Sequence, residues 1–386
     1  MPSKKVKLQH ATWVEINKQA YRHNLRIFRK LAKKHVKLLV VVKANAYGHG
    51  LKEISCLAEE AGVDFLGVNA LFEAEALRQA GIKLPILILG YVPEEDVRIA
   101  VRNGFHLTVY TPETIEASKK AAKRLNKTAW LHLKVETGTY RQGVHLEDIG
   151  HYAEMVAGVK HVRIAGLSTH FANIEDTTDH SFAEYQLRNY LAALEECKRQ
   201  GLKLRYRHTA CTAATLLFPR TYFDMVRVGI GSYGLWPSKQ TYLSSVLEGK
   251  PGPALKPVLS WKTRIAQLKT VAPDTFMGYG CTYRTTHETK MAVLPVGYYD
   301  GYDRRLSNIG YVLIRGKRAP VRGRVCMNMI MVDVTHIPDV SLRDEAVLLG
   351  NGDSDRISAE DLASLCHTIN YEIVSRIALD IPRVVV

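Results

Sequence analysis

Eight short apolar runs, most of them separated by amphipathic stretches, constrain this chain more than any other feature. They lie at 36–42, 64–68, 84–89, 105–110, 129–135, 162–168, 204–210 and 224–228. Runs rich in β-branched and aliphatic residues, such as Val36 to Val42, read as strands buried on both faces. Leu51 to Ala61, Ala70 to Ala80 and Pro112 to Leu125 carry apolar residues at helical spacing. Residues 18–34 do the same ahead of the first run, with Tyr21, Leu25, Phe28 and Leu31 three or four positions apart. Strands alternating with helices predict a parallel sheet, and eight is the number that closes a (β/α)8 barrel of the TIM type. A doubly wound open sheet is the alternative, but no G-x-G-x-x-G follows the first run. The barrel predicts an α/β fold whose chemistry collects just after the strand ends.

That rhythm stops between Pro237 and Pro257, a segment rich in Ser, Gly, Pro and Lys. It divides the 386 residues into a barrel over 1–245 and a second domain over 246–386. The second part alternates in runs from Val258 to Leu268, Met291 to Val296, Tyr311 to Ile314, Met329 to Val334, Ala346 to Leu349 and Val384 to Val386. It therefore reads as an all-β domain, joined by an amino-terminal strand near 12–16. An apolar content of 46% with no run approaching the roughly 20 residues of a membrane span excludes a membrane-spanning class. Met-Pro-Ser-Lys-Lys-Val-Lys leads into Gln-His-Ala-Thr-Trp rather than an apolar segment, so no secretion signal is expected and the protein is placed in the cytoplasm. The six cysteines show no CxxC or metal-ligand spacing and read as free thiols. A net charge of +15 raises nucleic acid as a partner, but acidic residues are interleaved throughout, which favours a solvated basic surface.

The first run ends at Lys43, just before Gly48-His49-Gly50. An isolated lysine at a strand end is most often simply solvated. Beside apolar walls its charged form is penalised, and the amine becomes a nucleophile towards an aldehyde, which is Schiff-base chemistry. Tyr47 offers a hydroxyl to an anion near the same lysine. The run Val-Val-Lys-Ala-Asn-Ala-Tyr-Gly-His-Gly closely resembles the pyridoxal-phosphate lysine signature of alanine racemases.

Further segments extend the resemblance over nearly the whole chain. Lys134 to Val144 is similar to the racemases' Lys-x-Asp-Thr-Gly-x-x-Arg-x-Gly, which places Arg141 by the substrate carboxylate and the cofactor's phenolic oxygen and makes Lys134 a candidate for carbamylation. Glu136 stands where many members have Asp and Tyr140 where many have Gly, so the pocket wall is expected to be narrower or differently polar. Ser168-Thr169-His170-Phe171-Ala172 matches the histidine that links a cofactor-facing arginine to a catalytic tyrosine. Cys211-Thr212 replaces the common Asn-Ser; Thr212 keeps a hydroxyl for phosphate, while the thiol loses the amide's contacts. The resemblance puts Arg227 against the cofactor's pyridine nitrogen. An arginine accepts no proton, so that nitrogen stays unprotonated and the ring is a weaker electron sink. Gly229 and Ile230 follow the last run, where barrels of this kind hold phosphate. Asn370-Tyr371-Glu372 supplies a second phosphate-binding tyrosine.

In the second domain, Met277-Gly278-Tyr279-Gly280 resembles the loop bearing the second catalytic base. Gly323-Arg324-Val325-Cys326-Met327-Asn328 resembles the segment whose Met and Asn approach the substrate carboxylate, and Tyr298 joins them at the pocket entrance. The resemblance implies a pyridoxal 5′-phosphate enzyme, active as a homodimer with shared sites, that interconverts L- and D-alanine through an aldimine and supplies D-alanine for peptidoglycan. Lys43 serves one face of Cα and the partner chain's Tyr279 the other, its pKa lowered through His170 and Arg227. The departures at Glu136, Tyr140, Cys211 and Thr212 leave open a serine-preferring or broader racemase. A decarboxylase of the same fold and a non-catalytic cofactor carrier are more distant alternatives. No metal, nucleic acid or membrane enters this account.

Overall fold

The computed structural model describes residues 10–247 and 253–386. The basic amino-terminal segment over 1–9 and residues 248–252 of the boundary segment lie outside the described residues. The chain forms two compact units, one holding residues up to Lys18, Tyr47–Gly50 and Pro257–Val386, the other Gln19–Ala46 and Leu51–Lys256. Strand β1 (Thr12–Ile16) belongs to the first of these.

The second unit is a barrel of eight parallel strands: β2 (Lys37–Val41), β3 (Phe65–Val68), β4 (Ile86–Ile88), β5 (His106–Val109), β6 (Ala129–Lys134), β7 (Val162–Ser168), β8 (Tyr206–His208) and β9 (Met225–Val228). From β2 to β8 each pairs with the next in the chain, and β9 pairs with β2. The ring closes between β8 and β9 through Asp224 N–H to Arg207 O at 3.0 Å and Arg227 N–H to Ala210 O at 2.9 Å. The helix Lys18–Ala32 buries Tyr21, Leu25 and Phe28 and stops where Lys33 enters the left-handed region at φ 64°. The glycines at 48 and 50 are the expected turning point after β2, but the backbone turns earlier. Ala44, Asn45, Ala46 and Tyr47 are all left-handed, with φ of 53° to 54°, a conformation that costs non-glycine residues roughly 1–2 kcal/mol each. Asn45 Oδ1 accepts from Leu51 N–H at 2.8 Å and helps to hold it.

In the first unit β1 lies between β10 (Leu259–Arg264) and β20 (Arg383–Val385), antiparallel to one and parallel to the other. The chain then runs through β11 (Gln267–Val271), the hairpin β12 (Phe276–Met277) and β13 (Tyr283–Arg284), β14 (Thr289–Leu294), β15 (Tyr311–Ile314), β16 (Lys317–Pro320), β17 (Ile330–Asp333), β18 (Glu345–Asn351) and β19 (Arg356–Ile357). One sheet runs β16-β15-β18-β10-β1-β20 and a smaller one β11-β14-β17. The single run expected from Val258 to Leu268 is therefore two strands. Ile265 N–H bonds Asp344 O and Ala266 N–H bonds Val293 O, so the chain leaves one sheet for the other at that point. The unit is mainly β rather than all β, since it includes helices Ala359–Leu365 and Asn370–Ser375. No helix among the described residues is long and apolar enough to cross a membrane.

Gly231 follows β9 where a Cβ would come within 2.5 Å of Phe28 Cζ and 2.6 Å of Thr212 Cγ2. Gly231→Ala is expected to destabilise the barrel by about 1–3 kcal/mol, seen as a lower thermal unfolding midpoint.

Candidate functional site

Lys43 follows β2 directly, and the turn after it is fixed by a carboxylate. Glu73 is buried and accepts from Ala44 N–H at 2.7 Å through one oxygen. The other accepts from Asn69 N–H at 2.7 Å and Ala70 N–H at 3.1 Å. Burial, and then the charge of Arg141, push the Lys43 amine below its ordinary pKa, while Glu73 opposes them. The amine is accordingly neutral more readily than a solvated lysine's.

Lys134 ends β6 and donates to Gln142 Oε1 at 3.0 Å. Burial and the charges of Arg227 and Arg141 push its amine down to about 8. Glu136 folds back on its own loop and accepts from Gly138 and Thr139 N–H, both at 2.6 Å. It is held below the ordinary carboxylate range by those bonds against a contrary effect of burial. The Glu136 carboxylate thus holds the loop that carries Arg141. Tyr140 does not pack inward; it is 80% exposed.

Arg227, on β9, is 7% exposed. Its Nη1 donates to His208 O at 2.8 Å and His208 Nδ1 at 2.9 Å; its Nη2 donates to Thr169 O at 2.8 Å, Thr209 O at 3.0 Å and His170 Nδ1 at 3.4 Å. Burial and then Arg227's charge hold His170 well below the ordinary histidine pKa, so its ring is neutral. With Nδ1 accepting, the ring carries its hydrogen on Nε2.

Thr212 is the first residue of the helix Thr212–Leu217, and its Oγ1 accepts from Gly229 N–H at 3.0 Å. That bond uses the glycine's donor and leaves the threonine's own O–H to give. Ile230 opens a 3-10 turn to Tyr233, whose first N–H groups have no acceptor within the turn. Cys211 meets the Glu175 carboxylate through its sulfur at 3.8 Å. Burial, and then that carboxylate, push the thiol up to about 12, so it stays protonated. All six cysteines are free thiols.

In the other unit the rings of Tyr47 and Tyr371 lie 6.0 Å apart, and Arg383 holds their neighbourhood by donating to Gly48 O at 2.9 Å. Tyr279 is 73% exposed on a turn packed against Arg324, which lies 3.0 Å from a Cβ at Gly280. The segment carrying Met327 and Asn328 is stitched to the Tyr298 turn by Tyr298 N–H to Cys326 O at 3.0 Å and Tyr299 N–H to Met327 O at 2.9 Å. Asn328 Nδ2 donates to Asp300 at 3.3 Å. Tyr279, Met327, Asn328 and Tyr298 thus sit on adjoining loops.

Sequence reasoning passed over two supports. Glu73 stands at the third position of its helix, where an acidic residue is ordinary. Gln186 is wholly buried and ties the loops after β6 and β7 by donating to Thr137 Oγ1 at 3.2 Å and His170 O at 3.1 Å. Only their capping and helical contexts were visible in the residues.

Four cations, Lys43, Lys134, Arg141 and Arg227, influence one another here. The two carboxylates among them, Glu73 and Glu136, already serve backbone N–H groups. The excess of positive charge, a depressed lysine amine and a threonine hydroxyl fit an anionic group that carries a carbonyl.

The alanine racemase N-terminal domain model matches residues 16–237 and the alanine racemase C-terminal domain model residues 258–385. An alanine racemase of Leptospira interrogans is 40% identical over 388 residues, covering 100% of this chain and 98% of the relative. The solved alanine racemase of Clostridium difficile 630 superposes with a TM-score of 0.91 at 34% identity, over 98% of this chain and 97% of that one. That of Bacillus anthracis with bound L-Ala-P also gives 0.91 at 34% identity, over 99% and 96%.

The Lys134 amine near 8 has a stability signature. Between about pH 8 and the ordinary lysine value of 10.5 the folded chain has already released a proton that the unfolded chain still binds. Stability contributed by this group therefore rises with pH across that window. In Lys134→Met, thermal unfolding followed from pH 8 to 10.5 in carbonate-free buffer should lose that rise.

Proposed function

The chain belongs to the alanine racemase family, and on that premise we propose how its residues divide the work of interconverting L-alanine and D-alanine. It is an isomerase, and the D-alanine it forms feeds peptidoglycan. We propose pyridoxal 5′-phosphate as the cofactor and the cytoplasm as the compartment. When bound, that cofactor withdraws electrons from Cα of the amino acid and so acidifies its proton.

Lys43 would hold the cofactor's aldehyde carbon through its amine. Thr212, Ile230, Tyr47 and Tyr371 would hold the phosphate, with Gly229 fixing Thr212 by its N–H. Arg227 would face the pyridine nitrogen, to which it can donate a hydrogen bond without giving up the proton. Arg141, Met327 and Asn328 would bind the substrate carboxylate, with Tyr298 at the entrance. Lys134, neutral in part near neutral pH and surrounded by cations, is suited to take up carbon dioxide as a carbamate, which would give Arg141 an anionic neighbour.

Inverting Cα needs a proton removed from one face and another delivered to the opposite face. One base held in place cannot do both, so two are required. The Lys43 amine takes one face, and the partner subunit's Tyr279 the other in a homodimer. His170 would position that phenol: its Nε2–H is available to donate to the oxygen, while Arg227 on Nδ1 keeps the ring in that tautomer. The observation that carries the reading is the buried Arg227, whose hydrogen bonds go to carbonyls and imidazoles rather than to a carboxylate.

Lys43→Ala should abolish the visible absorbance that forms when cofactor is added, and lower racemisation by at least ~10²-fold. If the band survives, the lysine assignment fails. Tyr279→Phe should cut racemisation by about 10²–10⁴-fold while one alanine enantiomer still exchanges its Cα proton with deuterated solvent. Unchanged racemisation, or equal loss of exchange from both enantiomers, would remove the two-base account.

A further inference from the structure

Three imidazoles stand in line behind Arg227 inside the barrel. His208 Nδ1 lies 2.9 Å from Arg227 Nη1. His208 Nε2 lies 2.8 Å from His132 Nδ1, and His132 Nε2 lies 2.9 Å from His106 Nδ1. They come from β8, β6 and β5, and all three are buried.

One residue sets the direction of the whole line. A guanidinium has donors only, so His208 Nδ1 must accept and the neutral ring carries its hydrogen on Nε2. That hydrogen points at His132 Nδ1, which must accept in turn, and the same step repeats at His106. A doubly protonated ring anywhere in the line would set N–H against N–H. The surroundings agree: burial and neighbouring positive charge hold His132 and His208 well below the ordinary histidine pKa. At the far end, burial and then the charge of Arg205 push His106 down to about 4.

The site is built around these rings. Tyr206 stacks on His132 at 5.5 Å between centroids and 7° between planes, and Trp130 stacks on His106 at 5.7 Å and 12°. Phe65 meets His106 edge-on at 5.2 Å. A Cβ at Gly166 on β7 would come within 2.8 Å of His132 Cγ, so the ring occupies the space that the glycine leaves.

We infer that His132 and His106 are positioning residues for Arg227: the line of neutral rings, each with its bare nitrogen turned towards the guanidinium, balances a buried cation that has no carboxylate partner among the described residues. A carboxylate in that place would cancel the charge; aligned dipoles compensate its burial and leave the field of a full cation on the other side. The inference rests on the reading in which Arg227 faces the cofactor's ring nitrogen, and it concerns two residues that touch neither cofactor nor substrate.

The test uses full-length protein labelled with ¹⁵N at histidine, with and without added pyridoxal phosphate. Long-range ¹H–¹⁵N spectra should show His106, His132 and His208 as Nε2–H tautomers, unprotonated from pH 8 down to 5. His106→Asn keeps an acceptor where Nδ1 was and should preserve both remaining tautomers. His106→Leu removes it and should leave His132 as the Nε2–H tautomer with that N–H lacking its acceptor, read as an upfield shift of its ¹H resonance. In the same variants kcat for alanine should fall roughly five- to tenfold in His106→Leu, the worth of about one hydrogen bond, with KM unchanged, and recover in His106→Asn. An Nδ1–H tautomer at any of the three rings, or titration of any near the ordinary histidine value, overturns the proposal. So does a His106→Leu protein whose His132 Nε2–H resonance and kcat both stay as they were. The tautomers are read without turnover, so failure here leaves the assigned reaction standing, and loss of the reaction leaves the tautomers measurable.

Discussion

A single guanidinium gathers the open end of the barrel. The backbone N–H of Arg227 closes the ring of strands on Ala210 O, and its side chain donates to carbonyls of Thr169, His208 and Thr209, beyond β7 and at the end of β8. Hydrogen bonds from a charged donor contribute roughly 1.5–3 kcal/mol each, and burying an unpaired charge costs several. The cation is kept because its bonds are numerous and well placed; a guanidinium holds its proton, and since none of those bonds ends on a carboxylate its field is not cancelled.

The carboxylates nearby are engaged otherwise. Glu73 holds three backbone N–H groups about the left-handed turn after Lys43, and Glu136 holds the loop of Arg141. Both are used to fix backbone, and the lysines are left with little to offset their burial. Local geometry and lysine acidity therefore have one origin: the negative charge that shapes the loops is not free to pair with the amines. The strain of four consecutive left-handed residues is held at the position where Lys43 must point inward, the kind of place where proteins tolerate it.

Most of the architecture was legible in the residues because the strands of a closed parallel barrel are apolar on both faces, and Leu38 to Val42 is the plainest case. Candidate site residues stood out in the sequence where they sit on a motif, as at Lys43, Arg141 and Arg227. They did not stand out where the job is to accept hydrogen bonds. Glu73 looks like any acid in a first helical turn, and Gln186 like one polar position on a long helix. His106 and His132 look like polar interruptions of strands, because nothing local tells that three rings from three strands meet. The switch of sheets at Ile265 was hidden for a different reason: Val258 to Leu268 contains no Gly, Pro or Asn to mark a break, and only pairing with Asp344 and Val293 divides it.

The pairing of β1 has a temporal consequence. Thr12 lies opposite Thr263, 251 positions later in the chain, and Val14 opposite Arg383. At translation speeds of about 5–20 residues per second, β1 waits roughly 12–50 seconds for its antiparallel neighbour, and longer for its parallel one. Through that interval, in which β2 to β9 are made, Thr-Trp-Val-Glu-Ile is without the strands it pairs with. The central sheet of the β-rich unit is therefore completed only when nearly the whole chain has been made.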